Sequence, residues 1–229
     1  VAATSPEEGR LLGGVLALTG MELAAGTSGL EPREVAALLH LLSREARVSG
    51  LSRVGVVVLV GALAEQAAST QDLSPSDACS CLGAFARLHL VGATVSRAEV
   101  QQALERGAAG ARAVALAGPQ VSLMRAALAI ERRRLLPADA AQAALFCSLA
   151  LDAPGLSEAP RSEARQGLAP LLELLCAQER RWSSEDRRLV GLVAVLLRSE
   201  VPELLRDPQW LPRPTREALL ACSRQGRWG

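Results

Sequence analysis

Apolar residues recur along this chain at three- and four-residue intervals, and Ser, Pro and Gly interrupt them at regular places. That interval is the period of a helix with one face turned to a core. Helix starts are legible. Ser5-Pro6-Glu7-Glu8 and Ser74-Pro75-Ser76-Asp77 each supply a cap, a proline for the first helical position and an acid three residues after the cap. Ser96-Arg97-Ala98-Glu99 and Ser183-Ser184-Glu185-Asp186 are capping boxes without the proline, while Glu31-Pro32-Arg33-Glu34 and Leu136-Pro137-Ala138-Asp139 keep the proline and the acid. Breaks fall at Gly26–Gly29, Ser49-Gly50, Gly118-Pro119, Asp152–Gly155 and Pro212–Pro214. Together these signals predict helices over 6–25, 32–47, 51–70, 75–91, 96–116, 119–135, 137–151, 161–180, 184–206 and 214–224, with Pro202 bending or ending the ninth.

The helices come in pairs. Prolines open alternate helices at Pro32, Pro75, Pro119 and Pro160, separated by 43, 44 and 41 residues. The first two units agree residue by residue: LEPREVAALLHLLSR (30–44) aligns without a gap on LSPSDACSCLGAFAR (73–87). Leu30 matches Leu73, Pro32 matches Pro75, Glu34 matches Asp77, Leu39 matches Leu82, Leu42 matches Phe85 and Arg44 matches Arg87. The units opened by Pro119 and Pro160 keep the spacing and lose most of the detail. A fixed period of this size predicts an all-α solenoid of about four helix pairs with a further helix at each end. The expected organisation is one helical-repeat domain over 1–229, and 152–161 is where a subdivision would fall.

Composition narrows the core. Apolar residues make up 49% of the 229 and aromatics only 2%, so Leu, Ala and Val must build the interior. Ile130 is the only isoleucine and there is no Tyr, which leaves little strand-forming material. All 25 cations are Arg, because the chain has neither Lys nor Asn, and with 24 acids the net charge is +1. The scarce residue types are those with AT-rich codons, which points to a GC-rich genome. The physical consequence is that every cation is a planar guanidinium suited to bidentate phosphate contacts. A near-neutral total argues against a free-standing nucleic-acid binder but leaves room for a local basic stripe. Five cysteines do not form a disulfide framework in a chain this long, and a reducing compartment is expected. The longest apolar run, Val54–Ala64, is too short to span a bilayer. The chain begins at Val1 without Met, as a processed or trimmed product would.

The stretch LSPSDACSCLGAFARLHLVG (73–92) resembles the first helix of the degenerate octotricopeptide and heptatricopeptide repeats of organellar RNA-binding proteins. Leu73, Ser74, Pro75, Asp77, Leu82, Ala84, Phe85, Ala86 and Leu88 stand at matching positions. Gly83 stands where those repeats carry Trp, and the period here is several residues longer. The resemblance implies an α-solenoid of mitochondria or plastids that binds RNA or sits in an organellar ribosome. HEAT and armadillo repeats of about 40–47 residues fit the period better and imply protein binding instead.

Candidate chemistry is sparse. Cys79 and Cys81 lie about 200° apart around a helix, no CxxC occurs, and His89 lies eight residues beyond Cys81, so no metal is expected and both thiols read as small apolar fillers. His40 and His89 sit within the repeat pattern, with no phosphate loop or nucleophile elbow near them. Glu22, Glu65 and Glu173 are isolated acids. No catalytic residue and no cofactor is expected. The arginines carry the functional expectation: Arg87 at the end of a repeat stripe, Arg132, Arg133 and Arg134 closing the sixth helix, Arg180 and Arg181 closing the eighth, and Arg187 and Arg188 opening the ninth. Cations at a helix C-terminus suit the macrodipole; Arg187 and Arg188 at an N-terminus do not. The expected protein is a non-enzymatic, RNA-contacting structural component of an organellar ribonucleoprotein, the mitochondrial ribosome favoured, with structured RNA (ribosomal RNA first) and neighbouring proteins of a large complex as partners. The alternative is a HEAT/armadillo-like scaffold without RNA, in an organelle or the cytosol.

Overall fold

The computed structural model describes residues 29–45, 63, 66–67, 73–92, 118–131, 134–151, 153 and 156–225. Among them stand eight bounded α-helices and one 3-10 turn, and no strand. The expected helices 6–25 and 96–116 lie outside the described residues, as does the run Val54–Ala64 apart from Leu63; of 51–70 only Leu63, Gln66 and Ala67 are described, all helical. The chain divides into two compact units, Val1–Leu123 and Met124–Gly229.

In the first unit, α1 (Pro32–Glu45) packs on α2 (Pro75–Gly92). These are the two in-register copies of the sequence repeat. α1 is amphipathic and turns Val35, Ala36, Leu39 and Leu42 inward. α2 starts as its sequence predicts: Ser74 Oγ accepts from the Asp77 N–H at 3.2 Å and donates to Asp77 Oδ2 at 2.6 Å. Its middle is enclosed on every side, with Ala78, Cys79, Cys81, Leu82, Ala84, Phe85 and Ala86 all buried. That explains why both thiols are inside although they point different ways around the helix. Leu63 and Ala67 are buried too, and the Gln66 side-chain amide donates to the Leu30 carbonyl at 3.2 Å.

A third helix, α3 (Gly118–Leu128), was expected to run to 135 and stops seven residues earlier. Pro137 accounts for the end of the connection: it holds Leu136 extended at φ −75, ψ 157. Leu135 inserts into the core from this connection, so its apolar character marks an anchor and not another helical turn. Arg134, expected to close this helix, therefore stands beyond its end, while Arg132 and Arg133 lie outside the described residues.

The second unit is built on α4 (Pro137–Ala150), which packs against both α5 (Glu158–Ala177) and α6 (Ser184–Glu200). Its Ala140, Ala141, Ala143 and Ala144 are buried, and small side chains let neighbouring helices approach closely. Leu145 and Phe146 on the same helix are fully buried as well. A short helix, α7 (Pro202–Arg206), and the terminal α8 (Arg213–Gln225) cover α6, and α8 also touches α5. The 152–161 stretch therefore joins two helices packed on each other within one unit. α5 starts at Glu158 behind Ser157, earlier than expected, so Pro160 sits in its first turn, where a missing N–H costs little. The predicted 184–206 helix breaks at Val201, whose φ −137, ψ 54 is non-helical because Pro202 follows it.

Gly167 on α5 marks a close approach. A Cβ there would fall against both methyls of Leu128 on α3. Gly167→Val is expected to cost about 1–3 kcal/mol by overpacking, read as a lowered thermal midpoint; a midpoint equal to the parent's would show that α3 is not held this close.

Candidate nucleic-acid interface

The arginines expected to meet phosphate divide into three groups. Arg87 is half-buried and turned inward: its Nε donates to Ser43 Oγ at 3.2 Å and its Nη2 stands 3.3 Å from His40 Nδ1. Ser43 is itself buried and donates to the His40 carbonyl at 2.7 Å. Arg87 thus ties the first two repeats together, and His40 is part of that tie. The side chain of His89, like Arg132 and Arg133, lies outside what is described. Arg134 is exposed beyond the end of α3 and pairs with Glu131 at 3.6 Å.

The third group stands together at the α5–α6 junction. α5 ends at Ala177, and a 3-10 turn over Glu179–Arg181 carries Arg180 and Arg181, both exposed. Trp182 follows, only 6% exposed, and its indole N–H donates to the Leu175 carbonyl at 3.0 Å. The same carbonyl accepts the Gln178 backbone N–H at 2.9 Å, so one buried acceptor holds both the end of α5 and the ring that follows it. Ser183 then caps α6 in a full capping box. The Asp186 N–H donates to Ser183 Oγ at 3.1 Å, while the Ser183 N–H and hydroxyl both donate to Asp186 Oδ2 at 2.8 Å. Arg187 and Arg188 come directly after, both exposed.

The acids near this junction are mostly committed. Asp186 is buried in its cap, and Glu185 pairs with Arg188 at 3.5 Å. Arg180, Arg181 and Arg187 make no ion pair and no side-chain hydrogen bond among the described residues. Of the other arginines of this unit, Arg165, Arg198 and Arg206 are exposed, while Arg125, Arg161 and Arg216 are taken up by partners within the unit. Arg125 forms a two-point pair with Glu163 at 2.6 and 2.9 Å and holds that carboxyl below its usual range by hydrogen bonding. The Nη2 of Arg161 donates to the Ala153 carbonyl at 2.9 Å and Nη1 of Arg216 to the Leu205 carbonyl at 3.4 Å. No spacing rule separates these from the exposed ones, since the partner in each case comes from a distant element or a loop.

No metal centre or reactive thiol emerges among the described residues. No group of three or more His, Cys, Asp or Glu stands close enough to hold a metal there, and none of the five cysteines is in a disulfide. Burial, followed by the negative charge of Asp77, pushes the Cys81 thiol up to about 12. Burial likewise raises Cys176 to about 12, with Cys222 and then Glu179 adding to it. Thiols kept neutral this way are poor nucleophiles at neutral pH. In the unfolded chain they ionise near 9.0. The folded state therefore holds protons that the unfolded state has released, and stability falls as pH rises from about 9 toward about 12. Urea unfolding at pH 8 and pH 10 checks this: the free energy is expected to drop at pH 10, and the drop to shrink in Cys81→Ala. An unchanged value would count against burial of the thiols.

An open groove of about 540 Å³ lies elsewhere in the second unit, along α3 and α5. Leu128, Ile130, Leu135, Pro170 and Leu171 give it an apolar floor, and the Arg125–Glu163 pair stands at its edge.

No family model, curated protein or solved structure matches this chain. What the site does must be argued from its own chemistry.

Proposed function

We propose that the protein is a non-enzymatic structural component of an organellar ribonucleoprotein, the mitochondrial ribosome first, and that it contacts structured RNA through phosphate. The observation that carries this reading is the α5–α6 junction, where Arg180, Arg181 and Arg187 are exposed within eight residues with no partner among the described residues. Guanidinium groups so placed bind phosphate in two-point geometry without reading bases. The repeat architecture supports the same reading. α1 packs on its in-register copy α2, and in the second unit α4 contacts α6 while each meets its sequence neighbour, as stacked helix pairs of a solenoid do. The organellar location rests on the resemblance of residues 73–92 to organellar repeat proteins.

The test is affinity for a structured RNA across a salt series, paired with sedimentation of the protein in fractionated mitochondria. Binding that falls steeply with salt and co-sedimentation with ribosomal particles are expected. Absence of binding at low salt would overturn the RNA reading. A HEAT/armadillo-like scaffold without RNA is the second reading. It is favoured by the apolar groove on α3 and α5 and by Leu136, which is 55% exposed nearby.

A further inference from the structure

Resting on the RNA reading, we infer that residues 178–188 form a preformed clamp for the sugar–phosphate backbone of double-stranded RNA, with Arg180, Arg181 and Arg187 as its contacts and Trp182 as its positioning residue.

Preorganisation is the first argument. An arginine on a mobile loop loses much of its binding free energy when it is ordered. Here the backbone on both sides is fixed before any ligand arrives. Gln178 and the Trp182 ring share the Leu175 carbonyl, the Arg181 N–H donates to the Gln178 carbonyl at 2.8 Å, and Ser183 and Asp186 close the start of α6. Only the guanidinium stems remain free to adjust.

The chemistry of the ligand follows from what the surface offers and withholds. Three guanidiniums offer charge and two-point hydrogen bonds, which suit phosphates in succession along a strand. Single-strand binders add aromatic faces on which bases stack. The clamp offers none: residues 178–188 hold no aromatic other than Trp182, which is buried, and among the other described aromatics Phe85 and Phe146 are buried and Trp210 is half-buried. A clamp with phosphate contacts and no exposed aromatic of its own favours a strand whose bases are already paired and stacked, recognised by shape and backbone. An acidic peptide is the other polyanion of interest, and it serves as a competitor in the test.

The experiment uses the full chain and three probes: an RNA duplex, a single strand of the same composition, and polyglutamate. Affinity for each is measured from 50 to 300 mM salt in the parent, in Arg180→Gln/Arg181→Gln/Arg187→Gln, and in the control Arg198→Gln/Arg206→Gln, which removes two exposed arginines from the same unit. The duplex is expected to bind tightest. The triple variant is expected to flatten the dependence of log affinity on log salt by about three, one for each arginine, while the control leaves it unchanged. Trp182→Phe keeps an aromatic side chain, smaller than the indole, and loses the N–H bond; it is expected to weaken duplex binding although every arginine remains. Single-arginine variants answer the same question should the triple variant fail to fold. Duplex binding that the triple and control variants weaken equally would overturn the clamp and leave the RNA reading standing. Preference for the single strand or for polyglutamate would overturn the duplex assignment. Absence of RNA binding at 50 mM salt would overturn both.

Discussion

Phe146→Ala is expected to lower the unfolding free energy by about 3–5 kcal/mol, the largest effect of any single substitution proposed for this protein. Phe146 is 1% exposed and lies on α4, the helix that both α5 and α6 pack against. The core has few large side chains, with two Phe and three Trp in the whole chain, so little bulk is at hand to fill the space Phe146 would leave. Alanines on the same helix cannot move to fill the void: Ala143, Ala144 and Ala150 are already buried and have no rotamers to change. The full cavity cost is therefore expected, with little relaxation. Chemical denaturation should show a lower midpoint at unchanged slope, while Phe146→Leu should recover most of the loss. An alanine variant within about 1 kcal/mol of the parent would show that α4 is not the centre of the second unit.

Asp186→Ala is expected to cost about 1.5–3 kcal/mol, the range for hydrogen bonds to a charged group. Its carboxylate is 5% exposed and accepts both from the Ser183 N–H and from the Ser183 hydroxyl at 2.8 Å. Loss of this group leaves an unpaired donor at the start of α6 and removes an anion from the positive end of the helix. Asp186→Asn keeps an acceptor and should fall between the two. Thermal melts of the three proteins give the order. The same variant connects stability to binding, because the cap fixes one side of the turn that carries Arg187. Equal stability for the alanine variant and the parent would show that Ser183 alone caps α6.

Local signals were legible because they depend on a few neighbouring residues. Ser74 with Asp77 and Ser183 with Asp186 close helix starts by bonds spanning three positions, and the chain says so directly. Pro202 forces Val201 out of helical geometry by contact within one peptide unit. The match between 30–44 and 73–87 likewise pointed to two equivalent helices, and α1 and α2 pack on each other. Helix ends without such a marker were misjudged. Leu135 continues the apolar period past Leu128, and only the fold shows it entering the core from a connection. Pro160 reads as the opening of α5, while Ser157 three residues earlier supplies the boundary.

The sequence by itself determined that this protein is helical, where most helices begin, and that its interior is built of small aliphatic residues. These follow from period, caps and composition, which act over one or two turns. The fate of each arginine was decided only by the tertiary structure. Arg87 and Arg125 carry the same charge as Arg181, yet Arg87 is taken up by Ser43 and His40, 44 and 47 residues away, and Arg125 by Glu163, 38 residues away. A guanidinium is available to a ligand only when no distant helix brings it an acceptor, and that is a property of packing. At the α5–α6 junction Asp186 is drawn into a cap and Glu185 into an ion pair, and Arg180, Arg181 and Arg187 remain exposed at the surface beside Glu179.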